Sequence, residues 1–142
     1  MDGCRVNNNG DKQALMSQKL IVNWLNRMTE SVQQRDLEAH MALVSKRVTV
    51  YGIPGQAQIG YRDWEQRRRY ELQHNKLFTL EYQDMKIKVI SLRRLGFAVT
   101  EIMHGSDGRN ILIRKDILLE QEADDEWRVV EETIRDWTLV ER

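Results

Sequence analysis

A single cysteine, Cys4, stands among 142 residues, so no internal disulfide can form and a reducing compartment fits the chain. Net charge is also missing: 22 Lys and Arg balance 22 Asp and Glu. A protein that holds nucleic acid or a polyanionic membrane usually carries a basic excess on one face, so neither partner is expected. The one local exception is Arg67-Arg68-Arg69, whose consecutive positions spread round a helix as on a solvated face. No apolar run approaches the ~18 residues of a membrane span. The opening MDGCRVNNNG lacks the apolar segment of a signal peptide, and a cytoplasmic location is expected. No His, Asp and Glu spacing matches a metal motif, so neither metal nor cofactor is expected. Proline is nearly absent too, and Pro54 with Gly55 marks a break after a short extended run.

What is present is the composition of a globular domain, 41% hydrophobic and 31% charged. A chain of this length buries roughly 68–70% of the surface its unfolded form exposes, enough for one core. One domain is expected over residues 11–142, behind a flexible tail, residues 1–10, in which Asn7-Asn8-Asn9-Gly10 shows no periodicity. The domain is organised around Gly96 to Val140, three extended runs joined by two polar turns, Gly105-Ser106-Asp107-Gly108 and Glu122-Ala123-Asp124-Asp125. Before them, Leu77 to Ile90 alternates at Phe78, Leu80 and Tyr82, then switches parity to Met85, Ile87 and Val89. A bulge near Gln83-Asp84 accounts for the switch.

Helical spacing comes earlier in the chain. From Asp11, a plausible N-cap, Met16, Leu20, Ile21, Trp24, Leu25, Met28 and Val32 recur on one side. Asp36 caps a second helix from Leu37 to about Ser45, whose inner face carries His40 as a hydrogen-bonded histidine. Arg47 to Ile53 reads as a strand. A third helix follows Gly60, with Tyr61, Trp64, Arg68 and Leu72 along one side. Helices followed by a run of strands indicate α+β. Residues 111–119 are apolar at both parities, so a homodimer through the outer sheet face is expected, with Ile113 at its centre.

This element order resembles the nuclear transport factor 2-like (SnoaL-like, cystatin-like fold) superfamily. The likeness is carried by RDLEAHMALVSKRVTVYGIPG, the Gly60-Tyr61-Arg62-Asp63-Trp64 helix start and Trp127-Arg128-Val129-Val130. It implies three N-terminal helices packed on a strongly curved mixed or antiparallel sheet, forming a cone with an internal pocket. In ketosteroid isomerases of that superfamily a general base sits on the first strand. Its place here is Gly52, the family's helix-one tyrosine falls on Met28, and only a pocket acid remains, as Asp116, which excludes that chemistry. Limonene-epoxide-hydrolase-type members are the nearer comparison. Thr49-Val50-Tyr51 and Ile134-Arg135-Asp136-Trp137 resemble two of their signatures, giving Tyr51 and Asp136, while Ile53, Ile102 and His104 replace the rest.

Aligned in this way, strand parity points Thr49, Tyr51 and Ile53; Thr100, Ile102 and His104; Leu112, Arg114 and Asp116; and Glu132, Ile134 and Asp136 into the pocket. Asp136, His104 and Tyr51 are the expected catalytic residues, with Asp136 and His104 paired at roughly 8–10 Å between Cα atoms. Ile102, Leu112, Arg114, Asp116 and Glu132 are expected in the pocket wall, and Trp24, Met28 and Trp64 in the wall or the core. The polar groups either serve acid–base work or form a satisfied cluster with Arg114 paired to Asp116 or Glu132. The implied function is small-molecule binding, with lyase, isomerase or hydrolase chemistry on an apolar substrate. A non-catalytic binding or assembly module and an accessory subunit of an oxygenase are the alternatives.

Overall fold

The structure, a computed structural model, describes residues 8–141. Residues 1–7 of the expected tail, Cys4 among them, lie outside the described residues. Helix α1 (Asn8–Gln33) begins three residues before Asp11, which falls in its first turn. Ser17, Ile21, Trp24 and Met28, at i, i+4, i+7 and i+11, form the stripe that meets the sheet. Met16 and Leu20 lie outside it, at 65% and 37% exposure. Arg35 adopts a left-handed conformation (φ 58°) and ends the helix. Asp36 then caps α2 (Leu37–Met41), its Oδ1 accepting from the Ala39 N–H at 3.0 Å.

The second helix stops before the expected Ser45 because the chain there is recruited into the sheet. Val129 N–H donates to the Leu43 carbonyl at 3.1 Å, and Val44 pairs with Val129. Strand β1 (Val44–Tyr51) therefore starts three residues earlier than Arg47. A two-residue strand, β2 (Gln58–Ile59), pairs with it, and α3 (Tyr61–Gln73) follows, burying Trp64, Arg68 and Leu72 at i, i+4 and i+8.

The meander is as expected: β3 (Thr79–Ile90), β4 (Arg94–His104), β5 (Arg109–Gln121) and β6 (Trp127–Glu141). Both polar turns form, with Gly108 (φ 84°) and Asp125 (φ 67°) taking the left-handed positions. The register slips between Gln83 and Lys86 and Asp84 has φ 57°, so the bulge lies where the parity switch puts it. The six-stranded sheet runs β2-β1-β6-β5-β4-β3, with β1 and β6 parallel and every other pair antiparallel. Leu95, Phe97, Val99, Ile117, Leu119 and Val129 line its inner face against Ile21, Trp24 and Met28. Trp24 meets Phe97 edge-on, ring centroids 6.5 Å apart, and donates its indole N–H to the Leu43 carbonyl at 3.2 Å.

Candidate functional site

Three neighbouring strands each carry one charge in an otherwise apolar inner row. On β4 the row is Phe97, Val99, Glu101, Met103; on β5 it is Ile113, Lys115, Ile117, Leu119; on β6 it is Val129, Glu132, Ile134. Register sets Val99 opposite Lys115 and Ile117 opposite Glu132, so Lys115 stands diagonal to both acids, within reach of long side chains. Its ammonium lies 3.1 Å from Glu101 Oε1 and 3.0 Å from Glu132 Oε1. Glu101, Glu132 and Lys115 are 1%, 3% and 5% exposed. Tyr82 donates its hydroxyl to Glu101 Oε2 at 2.7 Å. Glu132 Oε2 has no hydrogen-bond partner among the described residues.

Helix α3 closes the cluster from above. Arg68 pairs with Glu71 at 2.8 Å and donates Nε–H to His40 Nε2 at 3.1 Å, which also receives the Trp64 indole N–H at 3.2 Å. Two donors at Nε2 place the ring proton on Nδ1, 3.0 Å from Ser31 Oγ, whose own hydroxyl donates to the Met28 carbonyl at 2.7 Å. His40 is therefore a neutral, fully buried histidine, the hydrogen-bonded role expected of it. Burial lowers its pKa well below the usual histidine value, and Arg68 and Lys115 lower it further.

The two acids diverge. Burial pushes both carboxyls up. At Glu101 the charges of Lys115 and Arg68 and the Tyr82 hydrogen bond overcome it and hold the group below its usual range. At Glu132 burial wins over Lys115, Glu101 adds repulsion, and the pKa is raised. Lys115 is raised: burial opposes its charge, but the two carboxylates outweigh burial. Above the cluster lies a cavity of about 70 Å³, walled by Val50, Ile53, Ile59, Trp64, Met103, Ile113, Ile134 and Trp137, with Arg67, Arg68 and Glu71 on the helix side. A larger cleft lies between α2, β1 and α3; Arg128 there is bound to Glu122 at 2.9 Å.

Of the expected site residues, Trp64 and Glu132 reach this cavity. Trp24 and Met28 are core instead. On β1, β4 and β5 the inward parity is the opposite of that expected. Val48 and Val50 face inward while Tyr51 is 39% exposed. Ile102, Leu112, Arg114 and Asp116 alternate with the buried rows and so lie on the outer face. Asp116 pairs there with Arg135 at 2.8 Å, and Glu132 with Lys115, so Arg114 takes neither acid. Ile113 points inward, into the cavity wall rather than the outer face.

Asp136 fails for a different reason. Arg135 is an extra residue in the β5–β6 ladder, between Lys115↔Ile134 and Arg114↔Asp136, and this bulge turns Asp136 out and Trp137 in. Asp136 is exposed and accepts the Trp137 N–H at 3.0 Å. His104 bonds Asn110 at 2.7 Å and Glu81 at 3.0 Å. It lies opposite Asn110 while Asp136 lies opposite Arg114, four residues along β5 and roughly 13 Å at the strand rise, so the two do not pair.

Gly52 has φ 88°, and a Cβ there would overlap the Ile134 carbonyl, so the isomerase base position has no room for a side chain. Glu101, Lys115 and Arg68 are not among the expected site residues, yet a signal for the first two exists: one charge interrupting each period-two apolar row. Among the described residues no group of three or more His, Cys, Asp or Glu is placed to hold a metal ion, and no helix is long and apolar enough to cross a membrane.

No protein-family model matches the sequence, and no curated protein does. Solved structures do match in shape. An NTF-2-like protein of unknown function from Shewanella oneidensis superposes with a TM-score of 0.70 at 16% identity, covering 84% of this chain and 98% of its own. A candidate scytalone dehydratase from Novosphingobium aromaticivorans gives 0.69 at 12% identity, covering 93% and 91%. A candidate ketosteroid isomerase from Shewanella frigidimarina gives 0.62 at 13% identity, covering 82% and 92%. Identity this low carries fold and not chemistry. With its long first helix laid on a curved, unclosed six-stranded mixed sheet, the chain has the nuclear transport factor 2-like fold.

Proposed function

We propose that the chain binds a small, largely apolar molecule in the cavity under α3 and performs acid–base work on it, of lyase, isomerase or hydrolase type. The observation that carries this reading is the Glu101–Lys115–Glu132 cluster at the base of apolar walls. Two carboxyls pushed to opposite proton affinities beside a pocket are the arrangement that acid–base catalysis uses. Mass spectrometry of the natively purified protein should find a retained small molecule, which Ile134→Trp, by filling the cavity, should expel. Absence of any such molecule, and no response of the Trp64 and Trp137 indole signals to a fragment panel, would remove the reading. Recovery of the captured molecule unchanged would instead favour a non-catalytic binding module, which the small free volume of about 70 Å³ supports.

The homodimer belongs to the same proposal, through the same outer face but with other residues than Ile113. Leu112 and Leu118 lie half-buried on the outer side of β5, flanked by Thr100 and Ala98, and would form the contact beside Ile102, itself 8% exposed. Light scattering should give a two-chain mass that Leu112→Asp halves; a one-chain mass for the unaltered protein would exclude the dimer.

A further inference from the structure

We propose that Glu132 presents a carboxyl proton to the cavity, and that the molecule bound there offers it a neutral oxygen acceptor, a carbonyl or ether oxygen, rather than an ammonium group. This rests on the cavity being a small-molecule site. Counting the buried charges leads to the assignment. Arg68 is paired with Glu71, and Lys115 is shared by Glu101 and Glu132. Arg68 is committed to Glu71, whose side chain still reaches solvent at 23% exposure, so Lys115 alone serves two fully buried carboxyls. A buried, uncompensated carboxylate is costly, so one of the two carries a proton.

Hydrogen bonds identify which one. Glu101 accepts on both oxygens, from Lys115 and from Tyr82, and Glu71 accepts from Arg68. Glu132 has a donor at Oε1 alone, so its proton sits on Oε2, the oxygen with no partner among the described residues. A buried O–H without an acceptor is incomplete, and a ligand oxygen, or water until it arrives, completes it. A ligand cation would meet Lys115 and Arg68 with no anion left over.

The other groups facing Glu132 do not titrate with it near neutral pH. On β3 Tyr82 is raised well above its usual value by burial and by Glu101. Lys115 on β5 is raised, Glu101 on β4 is lowered, Arg68 on α3 stays cationic beside Glu71, and His40 on α2 is held neutral by burial. Glu71 accepts from Arg68, and exposed Arg67 lies at the cavity mouth.

Cyclopentanone and cyclopentylamine, matched in shape, separate the cases when titrated while the indole signals of Trp64 and Trp137 are followed by NMR. The ketone should bind the unaltered protein and weaken by about tenfold as pH rises through ionisation of Glu132, the loss of one buried hydrogen bond. Glu132→Gln turns its carbonyl to Lys115 and its amide N–H to the cavity. It should hold the ketone within about threefold and lose the pH dependence. If the amine binds more tightly than the ketone and Glu132→Gln abolishes that binding, Glu132 is ionised and this inference is wrong, while the cavity remains a binding site. If neither compound binds, the site itself fails. Should Glu132→Gln not fold, the pH profiles of the two compounds on the unaltered protein decide alone.

Discussion

The sheet carries two clusters built from the same chemistry, carboxylates sharing cations, and they differ in the medium around them. At the start of β4 and the end of β5, on the surface, the 60% exposed Arg47 bonds the partly covered Glu120 at 2.6 Å and Glu122 at 3.1 Å. Arg94 also bonds Glu120, at 3.0 Å, and Arg128 bonds Glu122 at 2.9 Å and Asp124 at 2.7 Å. Pairing there is rich enough that hydrogen bonds from Arg128 draw Asp124 down to about 2. On the inner face, Glu101, Lys115 and Glu132 make fewer bonds and leave one oxygen bare. The better-paired cluster is nevertheless the less consequential. Water screens exposed pairs to a median of about 0–1 kcal/mol, whereas a dry site magnifies both a good bond and a missing one. Completeness of pairing and energetic weight run in opposite directions here, and the incomplete cluster is the one that borders a cavity.

Lys115→Met should break this comparison hardest. It removes the one cation between the buried Glu101 carboxylate and the Glu132 carboxyl, and loss of one partner of a buried ion pair costs about 3–5 kcal/mol. Thermal or denaturant unfolding should show a large loss, restored in part by adding Glu101→Gln, which removes the stranded charge. A loss under about 1 kcal/mol would mean that the cluster is hydrated.

Glu132→Gln alone sharpens the contrast through its sign. A carboxyl with raised pKa binds its proton more tightly folded than unfolded. Its contribution is thus full below the unfolded value of 4.5 and fades as pH rises through the folded value. The Gln variant should match the unaltered protein near pH 4.5 and exceed it by about 1–2 kcal/mol in alkaline solution, the cost of one buried group without a partner. A difference that does not grow with pH would refute the assignment.

His40 supplies a smaller effect of opposite slope. Its pKa is lowered, so the unfolded chain takes up the proton first, and stability falls as pH drops below 6.5 toward the folded value. One proton gives at most about 1.4 kcal/mol per pH unit. Because Glu132 acts oppositely over an overlapping range, the loss should be read in a Glu132→Gln background. There, adding His40→Gln should flatten the melting temperature between about pH 6.5 and about pH 5.

How far the sequence foretells this molecule depends on which signal is asked for. Turn chemistry and alternation placed the meander, the bulge at Asp84 and both polar turns, because Gly, Asp and a parity switch act locally. Asp36 is likewise legible as a cap. The inward faces of β4 and β5 were not, because those strands carry apolar residues at both parities: Ile102 and Leu112 compete with Phe97, Val99 and Ile113. On β1 the valine row, Val44, Val48 and Val50, marks the inward face, whereas the family signature at Tyr51 points the other way. A one-residue slip exchanges every side chain between faces, so one ambiguous strand relocates a whole set of site residues. The bulge at Arg135 leaves no Gly or Pro behind to announce it, and it alone moves Asp136 out of the cavity. Arg68 reads as one of three solvated arginines until the i, i+4, i+8 row of Trp64, Arg68 and Leu72 is given priority over composition.

The smallest expected effect tests the solvent half of the comparison. Arg47 is the hub that joins Glu120 to Glu122, yet its side chain is 60% exposed, and ordering a long side chain there offsets most of the Coulomb gain. Its own pKa is raised by hydrogen bonds to those two acids, which shows that the pairs exist but not that they stabilise the fold. Arg47→Ala should cost at most a few tenths of a kcal/mol at low ionic strength. Raising the salt from about 0.05 M to about 0.5 M should erase that difference as the screening length contracts, while leaving the Lys115→Met loss nearly unchanged. Equal salt sensitivity in the two variants would mean that both clusters sit in the same medium, and the distinction between them would collapse.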